Sequence, residues 1–229
     1  MVKKVSFTPP PRLEEQGVKE WVYQSLRHAV MCGQIDPGLP LTIRGLAETL
    51  AVSPMPVREA LHRLTCERAV EVKDNRRVIV PRMTSAKLKA LFEMRIVLET
   101  HAACDALPYL RDEDVAKLEQ LDALVDQAVA SGKIEQVTLT NQAFHRYLYA
   151  VPPAQVVLPM IESVWLQLGP FVRVVLSKLE EVYRVDRHQE AIAALRQRNA
   201  FALKRAIEAD IRDGMAAIES IEGLEGFFE

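Results

Sequence analysis

The stretch VSPMPVREALHRL, residues 52–64, decides the fold of the N-terminal third of this chain. Ser53 is a residue type that caps helix starts, and Pro54 suits a first helical position, where no backbone N–H is needed. From there Val57, Ala60, Leu61 and Leu64 recur at helical spacing and define an inner face. Met55, Arg58 and His62 point the other way, at i, i+3 and i+7. An apolar inner face with groove-reaching side chains outside is what a recognition helix needs in the DNA major groove.

Working outward, Ile43 to Leu50 reads as a shorter helix before this one, so the pair is helix, tight turn, helix. Val18, Val22, Leu26 and Val30 predict an earlier helix that stops at Gly33, before the turn Asp36-Pro37-Gly38. On the other side, Val70 and Val72 alternate with Glu71 and Lys73. The polar turn Asp74-Asn75-Arg76 follows, and Val78 and Val80 resume the alternation before Pro81. That pattern predicts a small hairpin, or wing. Arg58 is the strongest candidate DNA contact, because a guanidinium can clamp a phosphate or pair bidentately with guanine. Ser53 can donate to a phosphate at the helix start, Met55 and His62 share the outward face, and Arg44, Asn75 and Arg76 are placed for phosphate or minor-groove contacts. An isolated arginine is usually only solvated surface; several on one motif are a different matter.

The charge distribution agrees with this division. The net charge of the whole chain is -2, yet residues 1–83 hold 13 lysines and arginines against 9 acidic residues, and the remainder holds 16 against 22. The N-terminal third is the part suited to phosphates. No run of about 18 apolar residues could span a bilayer, and the start MVKKVSFTPPPRLEE has no apolar stretch behind its lysines, so a cytoplasmic location is expected, with no membrane partner. Cys32, Cys66 and Cys104 lack CxxC spacing and are expected to be reduced core residues.

From Ser85 onward the pattern is helical almost throughout, and the spans predicted are 85–108, 112–131, 134–151, 154–179, 182–198 and 200–221, with Gly169-Pro170 kinking or splitting the fourth. Asn141 and His145 share one helical face, and His188 and Asp210 fall on two later helices. Two imidazoles, a carboxylate and an amide oxygen make an N/O ligand set for Zn²⁺, Ni²⁺ or Mn²⁺. Spacing alone carries this weakly, since a lone histidine in a bundle is more often a hydrogen-bonded core residue. Arg95, in MRIVLE (94–99), can point inward too, or pair with Glu99 at i+4. His28 and His101 lack such context and are read as structural, and Trp21 and Trp165 as core or interface anchors.

On these residues, stretch 18–82 resembles the winged helix of the GntR family. The resemblance rests on VSPMPVREALHRL, the upstream GLAETLAV (45–52), the Asp36-Pro37-Gly38 turn and the wing DNRRVIV (74–80). Pro54 and Met55 stand where that family commonly has an arginine and a threonine. Arg68 and Arg77 stand where glycines are usual. Residues 85–221 resemble the FCD ligand-binding domain of the FadR-type branch, in which an Asp-x-x-x-His pair and two later histidines bind a metal. NQAFHRYLYA (141–150), RHQEAIAAL (187–195) and ALKRAIEADI (202–211) fall on those three segments, with Asn141 in place of the aspartate and Asp210 in place of the last histidine. The resemblance implies that Asn141, His145, His188 and Asp210 hold the metal and that Arg95 meets the carboxylate of a small organic acid.

The expected architecture is therefore mainly α: an arm at 1–15, a winged helix-turn-helix at 16–82, and an all-helical ligand-binding and dimerisation domain at 83–229. The expected function is a ligand-responsive transcription regulator that binds a near-palindromic operator as a homodimer. The competing class is a metal-dependent helical-bundle enzyme, which calls for paired Glu-x-x-His. Leu98, Gln142 and Val185 stand three residues before His101, His145 and His188, so none of these sites has it. No phosphate-cradling glycine loop or serine-nucleophile motif is present either. A purely structural module would leave the pattern at 53–64 without a purpose.

Overall fold

The computed structural model describes residues 5, 7–74, 77–176 and 187–219, the side chains of 172–176 and 217–219 excepted. Helix α1 (Val18–Met31) leads to strand β1 (Pro40–Leu41), helices α2 (Ile43–Leu50) and α3 (Pro54–Cys66), and strands β2 (Glu71–Val72) and β3 (Val78–Ile79). Six helices follow among the described residues: α4 (Ser85–Ala106), α5 (Asp112–Ser131), α6 (Ile134–Tyr149), α7 (Val157–Leu176), α8 (Arg187–Arg196) and α9 (Ala200–Glu219). The chain forms two compact units, one from the described residues of Met1–Ser85 with Trp165–Val172, the other from those of Ala86–Val164 and Arg173–Glu222.

In the first unit α1 and α2 both pack on α3. The apolar faces read from the sequence are the ones buried: Val22, Leu26, Ala29 and Val30 from α1, Leu46, Ala47 and Leu50 from α2, and Pro56, Val57, Ala60, Leu61 and Leu64 from α3. Polar pairs fix α1 against α3 around this core. Arg63 bonds Glu20 at 2.7 Å and lies over the Tyr23 ring at 3.4 Å, and Lys19 meets Glu59 at 2.8 Å. Tyr23 donates to Glu67, and burial together with that carboxylate pushes its hydroxyl up to about 12.

Helix starts are settled differently from the sequence expectation. Ser53 occupies the N-cap position of α3, but its side chain makes no capping bond; Thr42 caps α2 by accepting from the Gly45 N–H at 3.1 Å. The hairpin forms with β3 central, paired antiparallel to β2 and also to β1, which two residues are too few to announce by periodicity. Val70 is buried, whereas Val72 is 56% exposed, so the inward alternation expected for both holds for the first alone. Arg68 sits at φ 60. This is the left-handed region where glycine is favoured, so the conformational demand remains although the glycine is replaced.

In the second unit α5 packs on α6 and α8, and α8 packs on α9. Helix boundaries fall within a few residues of the expected ones, though positions 177–186 of the spans 154–179 and 182–198, and 220–221 of the last, lie outside the described residues. Helix α7 runs through Gly169-Pro170 without splitting. Gly169 serves close approach instead: a Cβ there would lie 2.4 Å from the Val30 carbonyl oxygen, both residues being in the first unit. Of the cysteines, Cys32 is buried, Cys104 is intermediate and Cys66 is exposed, so Cys66 is not a core residue. Trp165 is buried, while Trp21 is half-buried and donates its indole N–H to the Pro10 carbonyl at 2.9 Å. Among the described residues no helix is long and apolar enough to cross a membrane.

Because the cap of α2 is Thr42, Thr42→Ala should lower stability by about 1 kcal/mol. Ser53→Ala should stay within about 0.5 kcal/mol of the parent chain. Urea unfolding followed by circular dichroism compares the two, and equal losses would contradict this assignment of the caps.

Candidate functional site

Helix α3 presents Ser53, Met55, Arg58 and His62 on its exposed face, with Met55 59% exposed. What separates Arg58 from its neighbour Arg63 is partnership. Arg63 is held by Glu20 and Tyr23, whereas Arg58 makes no ion pair among the described residues. Arg44 on α2 is exposed and pairs with Glu48 at 3.2 Å, an i,i+4 contact on open surface. Such pairs contribute at most a few tenths of a kcal/mol, so Arg44 can exchange its partner for a phosphate. Asn75 and Arg76, expected at the wing tip, lie outside the described residues, while Lys73 and Arg77 close the hairpin through a bond from the Lys73 N–H to the Arg77 carbonyl at 2.8 Å.

In the second unit, periodicity carries polar residues to the interior. The core face of α6 includes Val137, Phe144, His145, Leu148 and Tyr149, and that of α8 includes His188, Ala191, Ile192 and Leu195. Asp210 follows Leu203, Ala206 and Ile207 on the inner face of α9. His145 Nε2 and His188 Nε2 consequently lie 3.3 Å apart, and His145 Nε2 lies 3.3 Å from Asp210 Oδ2. The ligand atoms of these three side chains all fall within 4.8 Å of one another. Asn141 completes the group through its amide, whose Nδ2 is 3.4 Å from His188 Nε2; rotating the amide would present its oxygen instead. All four residues singled out in the sequence are thus brought together.

An aromatic ring walls one side of the cluster. Phe144 is fully buried, stacks on His188 with ring centroids 4.1 Å apart and meets His145 edge-on at 5.3 Å. Burial opposes a charge on Asp210, but the hydrogen bond to His145 and the positive potential of His145, His188 and Arg95 prevail and hold its carboxyl well below the usual carboxylate range. Arg95 pairs with Glu99 at 2.6 Å, with side-chain exposures of 18% and 0%. Of the readings of Arg95, the structure shows the bond to its i+4 glutamate, made by a side chain that faces inward. Burial works against the guanidinium charge and the Glu99 carboxylate outweighs it, so Arg95 stays firmly protonated.

The sequence reading missed two polar residues of this interior, Asp122 and Tyr149. Asp122 on α5 accepts from His188 Nδ1 at 2.9 Å and from Gln189 at 2.5 Å. Tyr149 lies 3.2 Å from His145 Nδ1 and donates to Glu99 at 3.2 Å. A signal for Asp122 exists, since it interrupts the buried stripe Val115, Leu118, Val125 and Ala128. Tyr149 stands one helical turn after His145, and Glu99 was considered as the partner of Arg95 and not of a tyrosine.

Comparison with known proteins identifies both units. Residues 18–80 match the bacterial regulatory proteins of the gntR family, and residues 90–213 match the FCD domain. The HTH-type transcriptional regulator McbR of Escherichia coli is 27% identical over 200 residues, covering 86% of this chain and 90% of McbR. The HTH-type transcriptional repressor GlaR of Escherichia coli is 28% identical over 193 residues, covering 77% and 84%. The solved structure of E. coli McbR/YncC superposes with a TM-score of 0.81 at 26% identity, covering 89% of this chain and 98% of that one. With its gntR-type helix-turn-helix, its FCD effector-binding domain and relatives that are regulators and not enzymes, the chain belongs to the GntR family of transcription regulators, in the branch that carries an FCD domain.

Proposed function

We propose that this regulator reads a near-palindromic operator as a homodimer through the exposed face of α3, and that a divalent metal and a small carboxylate effector bind in its helical domain. The DNA part is supported by the division of the α3 arginines. Arg63 is committed to the fold, leaving Arg58 with Ser53, Met55 and His62 to face the groove and Arg44 to hold a phosphate. Pairing two winged helices by a two-fold axis would match two half-sites. Asn75 and Arg76 complete the proposed DNA contacts at the wing, and a cytoplasmic location goes with an operator as target.

The single observation that carries the metal part is the approach of His145 Nε2, His188 Nε2 and Asp210 Oδ2 in an interior walled by Phe144. Three acceptor atoms at such distances repel unless a proton or a cation lies among them. The donor set fits a borderline divalent ion: two imidazoles, a carboxylate and the Asn141 amide oxygen, as suits Zn²⁺, Ni²⁺ or Mn²⁺. When bound, the metal supplies positive charge and open positions for an effector oxygen. Arg95 carries five N–H donors and gives its Nε to Glu99, so the same guanidinium can also bond an effector carboxylate. Effector binding would then favour one arrangement of the protein and shift operator affinity by its differential affinity for the two.

Two outcomes are expected. Arg58→Ala should weaken binding to a selected operator by about 1–3 kcal/mol and erase its preference over random DNA. Arg44→Ala should weaken both alike and reduce the salt slope by about one. Gel shifts at several salt concentrations read both, and an Arg58→Ala variant with undiminished operator preference would sink the recognition-helix reading. Separately, gently purified wild type should retain a divalent metal by elemental analysis, and its thermal midpoint should fall with a chelator. His145→Ala and His188→Ala should lose both the metal and the chelator effect while still binding DNA. A wild type that holds no metal even after soaking would remove this part.

A further inference from the structure

The residues that touch the cluster from outside decide which nitrogen each imidazole turns inward. Histidine has two ring nitrogens, and a neutral ring carries its proton on one of them alone. A ring that points an N–H at a metal position cannot ligate there, so something must hold the proton on the far side. Asp122 does this for His188. It is 2% exposed, lies 2.9 Å from Nδ1, and as a carboxylate can only accept, which places the His188 proton on Nδ1 and leaves the Nε2 lone pair facing His145 and Asp210. The Gln189 side chain, donating to the other Asp122 oxygen, holds that carboxylate in place. For His145 the partner is Tyr149. Its hydroxyl donates to the fully buried Glu99, so its oxygen can accept from His145 Nδ1 at 3.2 Å, and a cation that replaces the proton between His145 Nε2 and Asp210 then meets a bare Nε2. Glu99 is itself paired with Arg95.

We infer that Asp122, and Tyr149 through Glu99, are positioning residues of the cluster: without touching the bound ion they set both imidazoles in the ligating tautomer and thereby set metal affinity. This rests on the metal reading above and adds to it residues that lie on α5, on the far end of α6 and on α4. Two independent chains of hydrogen bonds converge on two rings, each ending at a buried carboxylate, Asp122 on one side and Glu99 on the other. Asp122 answers an imidazole N–H directly, and Glu99, which also pairs with Arg95, answers the other through one phenol.

The test uses the full chain and Zn²⁺ alone as probe, with two readouts. The first is the tautomer of His188 in the metal-free protein, read from the two-bond ¹H–¹⁵N couplings of its ring. The second is the Zn²⁺ dissociation constant by competition with a chromophoric chelator. Wild type should show a proton on His188 Nδ1 and an unprotonated Nε2. Asp122→Leu, which keeps the volume and removes the acceptor, should shift His188 toward the Nε2–H form and weaken Zn²⁺ by about 10- to 100-fold. Asp122→Asn, which keeps an acceptor oxygen, should restore the Nδ1–H form and recover most of the affinity. Tyr149→Phe should weaken Zn²⁺ by roughly 10-fold and leave His188 unchanged, so the inference stays testable if Asp122→Leu does not fold. A proton on Nε2 of His188 in wild type, or an Asp122→Leu variant with wild-type tautomer and affinity, would overturn it. If wild type binds no Zn²⁺, the metal reading fails, while the tautomer comparison of wild type with the Asp122 variants still decides whether Asp122 sets the ring.

Discussion

Two imidazole nitrogens 3.3 Å apart, with a carboxylate oxygen 3.3 Å from one of them, are an arrangement that a protein interior does not sustain without a proton or a cation among them. Leaving one buried acceptor unsatisfied costs roughly 1–3 kcal/mol, and uncompensated charge costs more. The arrangement exists because helices α6, α8 and α9 carry His145, His188 and Asp210 at the register of their apolar stripes. Helix α5 adds Asp122 in the same way, and α4 adds Glu99 and Arg95. Each helix packs its own leucines and alanines as any bundle helix does, and the polar residue is carried inward by the spacing. The cluster therefore depends on the fold, and the fold tolerates the cluster only while its donors and acceptors are matched. This coupling is what makes a bundle responsive to the ion or ligand it holds.

The DNA-reading unit solves a different problem, which is to keep some cations and release others. Helix α3 is drawn against α1 by Val57, Ala60, Leu61 and Leu64, and the fit is tied at its edges by Arg63 with Glu20, Lys19 with Glu59, and Arg27 with Glu67 at 3.4 Å. Those pairs consume the positive charges that lie beside α1. Arg58, on the opposite face, makes no ion pair among the described residues, which is why it is the proposed contact for an external anion. The exposed apolar Met55 stands a turn before it, a side chain suited to a thymine methyl.

Much of this was legible in the sequence, and the reason is periodicity. The winged helix was written in VSPMPVREALHRL, whose inner and outer faces are those observed, and in the alternation at 70–80. Asn141, His145, His188 and Asp210 were readable one by one from helical registers and from the resemblance to a known domain, and the fold brings them together. What was not legible depends on contacts between segments far apart in sequence. Asp122 meets His188 across 66 positions, and Tyr149 meets Glu99 across 50; no local pattern reports which of many buried carboxylates faces which ring. The cap of α2 by Thr42 and the silent hydroxyl of Ser53 show the same limit at short range, since both residue types suit the position and only geometry separates them.

In the proposed site His145, His188 and Asp210 share a divalent ion. Anomalous scattering from crystals of the full chain grown with Zn²⁺ tests it most directly. A single strong peak is expected inside the helical domain, about 2.0–2.2 Å from Nε2 of both histidines and from a carboxylate oxygen of Asp210. A cluster without a peak, its ring nitrogens still 3.3 Å apart and the zinc bound elsewhere, would contradict it.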